Sequence, residues 1–324
     1  VIKPRSEDLL RAILLYLSKA TWALRLVTSW RFARRAASRF IAGDTLEEAM
    51  EVIRSLNARG MFVTLDHLGE NVNTSEKALN ATEDYLDSLT RIHEAGVESN
   101  ISVKLTQLGL NIDLDLCLSN LRRIASRAAE YDIMVRVDIE DFSTVDRTWL
   151  TYRTLREEGV SNVGLAVQSY LYRSEEDTNT LALEGARIRL CKGAYSEPPD
   201  VAYPRKADVD ANYDRITKIL IDASLTHAET STGKIPPVAA IATHDPARID
   251  FARNYAEKVS LPKAALEFQM LLGIRSDLQQ ELVNAGYPVR IYVPYGTDWY
   301  PYFVRRLAER PANLWFFLSN LFRG

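Results

Sequence analysis

The chain of 324 residues has only two cysteines, Cys117 and Cys191, in segments that read as helix and strand. That scarcity argues against a disulfide framework and favours a reducing compartment. Long apolar runs are missing as well. The longest near the start, Ala12 to Leu17, falls far short of the ~20 residues needed to span a bilayer, and no secretory signal is evident. Neither sign of charge dominates: 40 Lys and Arg stand against 43 Asp and Glu, a net charge of −3, which gives no footprint for nucleic acid. Histidine is limited to four residues, few for a metal centre that needs three or more ligands in one cluster. The sequence has no G-x-x-x-x-G-K-S/T loop, no G-x-G-x-x-G fingerprint and no H-E-x-x-H helix. A bound nucleotide is therefore not expected on a Rossmann unit.

One local absence is informative. From Leu9 to Gly43 there is no acidic residue, while Arg11, Lys19, Arg25, Arg31, Arg34, Arg35 and Arg39 alternate with apolar side chains. The pattern fits a helical cap packed on the main domain or, as the alternative, a basic surface helix meeting anionic lipid. Thr45-Leu-Glu-Glu48 then has the capping-box spacing and predicts a helix to about Ala58, stopped by Gly60.

Beyond that point β-rich runs recur at 61–68, 100–108, 133–140, 162–170, 187–194, 237–244, 265–272 and 288–295, separated by segments with helical apolar spacing. Alternating strands and helices imply parallel crossover units, and eight of them closing on themselves form a (β/α)8 barrel. An open doubly wound sheet is the alternative. No linker divides the chain from 60 to 310, so we expect an N-terminal helical extension over 1–59 and a barrel over 60–324.

Side chains alternate with period two along each run. Once the apolar set is assigned to the helices, the axis receives Lys104, Arg136, Asp138, Glu140, Gln168, Arg187, Arg189, Glu267, Gln269, Arg290 and Tyr292. Ordinary barrel interiors hold branched apolar residues, and burying unpaired charge costs several kcal/mol per group. Lys104, Asp138, Gln168, Arg189, His244 and Tyr292 fall towards the carboxyl ends of strands, where barrel active sites form. Polar groups delivered by many strands to one mouth point to a binding site.

The stretch 290–309 reads as strand, turn and helix. On its helix Tyr302, Arg305, Arg306 and Glu309 share one narrow polar sector at ~100° per residue, opposite Phe303, Val304, Leu307 and Ala308. Two arginines suit bidentate recognition of a small carboxylate, and Glu309 is expected to hold their geometry. Other barrel chemistries remain to be weighed. Asp66-His67 and His244-Asp245 offer few metal ligands. A Schiff base on Lys104 or Lys192 needs a lysine of lowered pKa, whereas Asp138 is expected to keep Lys104 protonated. Cys191, a strand cysteine, is expected to be inert.

Arg189-Leu-Cys-Lys-Gly-Ala-Tyr195, Ala242-Thr-His-Asp245, Glu267-Phe-Gln-Met270 and the Arg305-Arg306 pair resemble the motifs of the proline dehydrogenases in their short monofunctional form, in order and across about Gly43 to Asn313. The resemblance implies a distorted (β/α)8 barrel that holds FAD non-covalently, oxidises L-proline to 1-pyrroline-5-carboxylate as the first step of proline catabolism, and passes electrons to a membrane quinone. It places Lys104, Arg305 and Arg306 around the proline carboxylate, Tyr292 against the substrate ring, Asp138 as the compensating carboxylate, and Arg189 next to the reactive nitrogen of the flavin. Flavin contacts implied are Ile139, Gln168, Arg189, Lys192, Gly193, Ala194, Thr243 and His244, with Glu267 in the neighbourhood and no metal. A cytoplasmic enzyme, peripheral at the inner face of the membrane, with a pyrroline-5-carboxylate dehydrogenase as a further partner, completes what the family implies. The alternative is a barrel lyase or metal-dependent hydrolase acting on a small carboxylate.

Overall fold

Thr45 begins the helix over 46–57 by a reciprocal cap. Its hydroxyl accepts the Glu48 amide at 3.3 Å, and the Glu48 carboxylate accepts the amides of Asp44 at 2.7 Å and Thr45 at 3.1 Å, which satisfies donors that a helix start leaves orphaned. A computed structural model describes residues 37–227 and 230–309. After that helix, α1 (Leu46–Asn57), strands and helices alternate: β1 (Phe62–His67), α2 (Ser75–Glu94), β2 (Ser99–Val103), α3 (Leu114–Glu130), β3 (Val135–Val137), α4 (Val145–Glu157), β4 (Val163–Gln168), α5 (Ser174–Leu183), β5 (Ile188–Cys191), α6 (Lys206–Thr226), β6 (Ala239–Ala242), α7 (Pro246–Lys258), β7 (Leu266–Leu271), α8 (Ser276–Asn284), β8 (Val289–Tyr295) and α9 (Trp299–Glu309). Every strand pairs in parallel with its sequence neighbour, and β8 pairs with β1, so the sheet closes into the expected eight-stranded barrel.

Two strands are shorter than their apolar alternation suggests. β3 keeps three residues, although Asp138 N still donates to Val103 O at 2.9 Å before the chain leaves the ladder. β2 ends at Val103 because the backbone turns over Lys104: the amides of Gln107 and Leu108 return to its carbonyl. Both departures lie at the mouth, where backbone direction is set by what the loops must reach.

The pairing register sorts the inward side chains into layers, four from alternate strands in each. Thr64, Arg136, Arg189 and Gln269 share the middle layer. Ser102, Ala166, Ala242 and Tyr292 lie one layer towards the mouth, and Asn100, Gly164, Ala240 and Arg290 one layer towards the floor. Arg187, expected to face the axis, is only half-buried. At the floor Arg290 Nε donates to Glu267 Oε1 at 2.8 Å, and its other nitrogens reach the carbonyls of Val63, Gly233 and Thr232. Gly164 matters for space: a Cβ there would fall 2.9 Å from Arg136 Nη1 and 2.7 Å from the Arg187 carbonyl.

A second apolar cluster sits beyond the barrel, where Ala37, Phe40 and Ile41 pack with Trp299, Phe303 and Leu307 of α9. The end of the basic N-terminal stretch thus packs on α9; residues 1–36, and with them most of that stretch, lie outside the described residues. Among the described residues no helix is long and apolar enough to cross a membrane.

Candidate active site

Asp138, just past the end of β3, is the hub of the mouth. One carboxylate oxygen accepts the Ser102 hydroxyl at 2.7 Å and Arg189 Nη1 at 2.5 Å; the other accepts the Tyr292 hydroxyl at 2.7 Å. Arg189 is further fixed by Nε to Gln269 Oε1 at 2.6 Å, and its guanidinium lies 5.2 Å from the Tyr292 ring centroid. β2, β3, β5, β7 and β8 are therefore tied together at one point; alternation had placed Asp138, Arg189, Gln269 and Tyr292 on the axis, and Ser102 joins them. Burial first, then Asp138, holds the Tyr292 hydroxyl far above its ordinary pKa, so it stays a neutral donor.

Lys104 does not use the partner expected of it. Its ammonium pairs with Asp66 Oδ1 at 2.7 Å, at the end of β1, while Asp138 is taken by Arg189 and Tyr292. Strand alternation gives the face a residue points to but not which strand lies opposite at that height, and this is what misassigned the pair. Burial pulls the Lys104 pKa down, yet Asp66 and then Asp138 more than offset it and the net shift is upward. The lysine stays charged, unsuited to a Schiff base.

α9 brings its two arginines over the mouth. Arg305 pairs through both terminal nitrogens with Glu70, at 2.8 and 3.2 Å, and its guanidinium lies 5.7 Å from the Tyr195 ring centroid. Arg306 is buried, its guanidinium 4.9 Å from the Tyr302 ring, and both it and Arg189 exert a field on Cys191, whose thiol burial pushes up to about 11. A thiol held there is protonated at neutral pH and unreactive. Glu70, on the loop after β1, is the observed carboxylate on Arg305; the expected Glu309 side chain lies outside the described residues. No sequence signal marked Glu70, because a loop residue has no periodicity. Asp66, by contrast, was reachable by the alternation of β1.

The carboxyl ends of β4, β5 and β6 form the other half of the mouth. Gln168 is buried and its Oε1 has no hydrogen-bond partner. Gly193 holds φ +120°, and a Cβ there would come within 2.5 Å of the Tyr170 ring, a position that requires glycine. Ile139 and Thr243 are buried nearby in the fold, Ala194 is half-buried, and His244 Nε2 accepts the Leu271 amide at 2.9 Å. Lys192 points its ammonium between Asp210 at 2.5 Å and Asp245 at 2.7 Å, carboxylates on α6 and at the start of α7. Asp245 was weighed in the sequence only as a metal ligand, and Asp210 was not singled out. The orphaned Gln168 oxygen, the glycine cradle and the small inward residues Ala166 and Ala242 fit a flat aromatic group with an N–H donor, such as a flavin. Among the described residues no three His, Cys, Asp or Glu side chains converge as metal ligands.

The family model described as proline dehydrogenase matches residues 49–317. Proline dehydrogenase 2 of Bacillus subtilis (strain 168) is 40% identical over 312 residues, covering 96% of this chain and 98% of that protein. The proline dehydrogenase of Deinococcus radiodurans is 41% identical over 292 residues, covering 89% of this chain and 90% of its own length. Among solved structures, proline utilization A from Bdellovibrio bacteriovorus, inactivated by N-propargylglycine, superposes with a TM-score of 0.77 at 25% identity, covering 93% of this chain. The chain spans only 36% of that longer protein.

Proposed function

The chain belongs to the proline dehydrogenase family, oxidoreductases of proline degradation, and from that premise we propose that it oxidises L-proline to 1-pyrroline-5-carboxylate with FAD and delivers the electrons to a membrane quinone. The observation that carries this reading is the Asp138 hub, which fixes Arg189 and Tyr292 beneath the arginine pair of α9.

In this reading Lys104, Arg305 and Arg306 hold the substrate carboxylate, as guanidinium and ammonium groups do without losing charge. Tyr292 forms one wall of the ring pocket. Its hydroxyl is engaged by Asp138, so the ring is locked in orientation and a small substrate is held at the ~3 to 3.5 Å that reaction requires. Gln168, Gly193, Ala194, Thr243, His244 and Ile139 bind FAD, with Lys192 restrained beside it by Asp210 and Asp245. When bound, FAD supplies the hydride acceptor. Arg189 offers a fixed positive charge where negative charge develops, an electrostatic contribution that costs no reorganisation. The proline amine must be neutral before hydride leaves, and the cationic mouth lowers its pKa on entry.

Anaerobic titration with proline is the test. Flavin absorbance that bleaches on adding proline is the expected result; protein that is colourless and cannot be reconstituted with FAD would overturn the reading. Peripheral membrane contact is a separate part of it, motivated by the acid-free segment before Gly43 and by a lipid-soluble acceptor. Equal liposome sedimentation with and without residues 1–43 would remove that segment's role.

A further inference from the structure

Glu140 has no part in the reading above, yet it is buried two residues beyond the hub and makes two hydrogen bonds to a single residue. Its carboxylate accepts the Thr106 amide at 3.1 Å and the Thr106 hydroxyl at 2.5 Å. The same hydroxyl accepts the Asn71 amide at 3.0 Å, and the Thr106 carbonyl accepts the Val72 amide at 3.3 Å. Asn71 sits in the left-handed region at φ +55°, a conformation that persists in a non-glycine residue when its surroundings hold it. The next residue back is Glu70, which carries Arg305 on both oxygens. An unbroken series of contacts thus runs from β3 through two loops to α9.

We propose that Glu140 is a positioning residue for the substrate clamp: acting through Thr106 and Asn71, it fixes the loop after β1 so that Glu70 presents Arg305 to the proline carboxylate. This rests on the clamp reading of Arg305 given above.

The polarity of the series explains why the residue is Glu. A carboxylate only accepts, so the Thr106 hydroxyl must donate to it and offers a lone pair to Asn71. A glutamine, or a protonated Glu140, can donate as well as accept, and the hydroxyl then has two orientations, one of which competes with Asn71. Burial pushes the Glu140 carboxyl up, with the two Thr106 bonds pulling back, to about 7. The single-polarity arrangement is therefore complete above about pH 7 and lost as pH falls through it.

Four of the groups that face Glu140 do not share that transition. Lys104 is raised by Asp66, Tyr85 from α2 and Tyr195 from the loop after β5 are held far above 10 by burial, and Cys117 from α3 is pushed up to about 12. Glu70, a further neighbour, is paired with Arg305.

The test is steady-state kinetics of the FAD-loaded full chain at about pH 8 and about pH 6, on either side of the Glu140 transition. Glu140→Gln should raise KM for proline about five-fold at the higher pH with kcat within about two-fold, and the gap to wild type should close at the lower pH. Thr106→Val, which deletes the hydroxyl alone, should raise KM in the same way, and Thr106→Ser should restore it. This pair carries the test if Glu140→Gln does not fold. An unchanged KM at the higher pH, a gap that persists at the lower pH, or a loss confined to kcat would each overturn the proposal. Arg305→Met measured in the same series separates the two levels. If it leaves KM unchanged, the clamp role of Arg305 fails; if it raises KM while both the Glu140 and Thr106 variants do not, only the positioning role fails.

Discussion

The floor and the mouth of the barrel hold the same kinds of charge in opposite ways. At the floor Arg290 has one carboxylate, Glu267, and each of its remaining hydrogen bonds goes to a backbone carbonyl or an amide oxygen. Those acceptors cannot leave. At the mouth Asp138 is shared among Ser102, Arg189 and Tyr292, Arg305 is held by one loop carboxylate, and Gln168 keeps an oxygen without a partner. The burial cost of the Arg290–Glu267 pair is met by fixed internal acceptors, although Asn100 Nδ2 beside it has no hydrogen-bond partner, whereas the pairing at the mouth is shared among groups that the proposed carboxylate and flavin would engage.

Breaking the pair at each depth should give effects that fall in order. Glu267→Ala leaves Arg290 charged, buried and uncompensated, and should cost about 3 to 5 kcal/mol of stability, read as a large fall in the denaturation midpoint. Arg189→Met should slow flavin reduction by about 100-fold and weaken proline binding much less. Stopped-flow traces with normal reduction and poor binding would reverse that role. Arg305→Met should weaken proline binding by about 2 kcal/mol while FAD stays bound, and an unchanged KM there and in Arg306→Met would remove the clamp. At the surface, Arg122→Ala breaks a well-formed bidentate pair with Glu158, both bonds 2.7 Å, yet solvent screening should leave the melting temperature at the wild-type value. A marked loss there would mean that pair geometry, not depth, sets the energy.

The fold was legible because its signals are local. Eight apolar alternations and a capping box each report on a few adjacent residues, and all of them are found in the structure. The polar lining was legible for the same reason. Pairing across the barrel was not: Lys104 to Asp66 depends on the register between β1 and β2, which neither strand encodes alone. The roles of Glu70 and of Glu140, the latter placed on the axis by alternation, lay beyond reach for a different reason. One sits on an irregular loop and the other turns off its strand to hold Thr106, so their meaning comes only from the contact. Lys192 shows the limit of motif matching. The motifs identify Lys192 and Asp245 separately, but not that Asp245 and Asp210 of α6 together aim the lysine.

The cross-section of this barrel also limits how its sequence can change. Below Gln168, the inward positions on β4 and β6 are Gly164, Ala166, Ala240 and Ala242, and the Gly164 site is occupied instead by the Arg136 guanidinium. Adding a methyl group at residue 164 would thus push a charge, where the same change in an apolar barrel would push a hydrocarbon. Shape and electrostatics are one variable here, and a substitution that alters the bore of this barrel also resets its field.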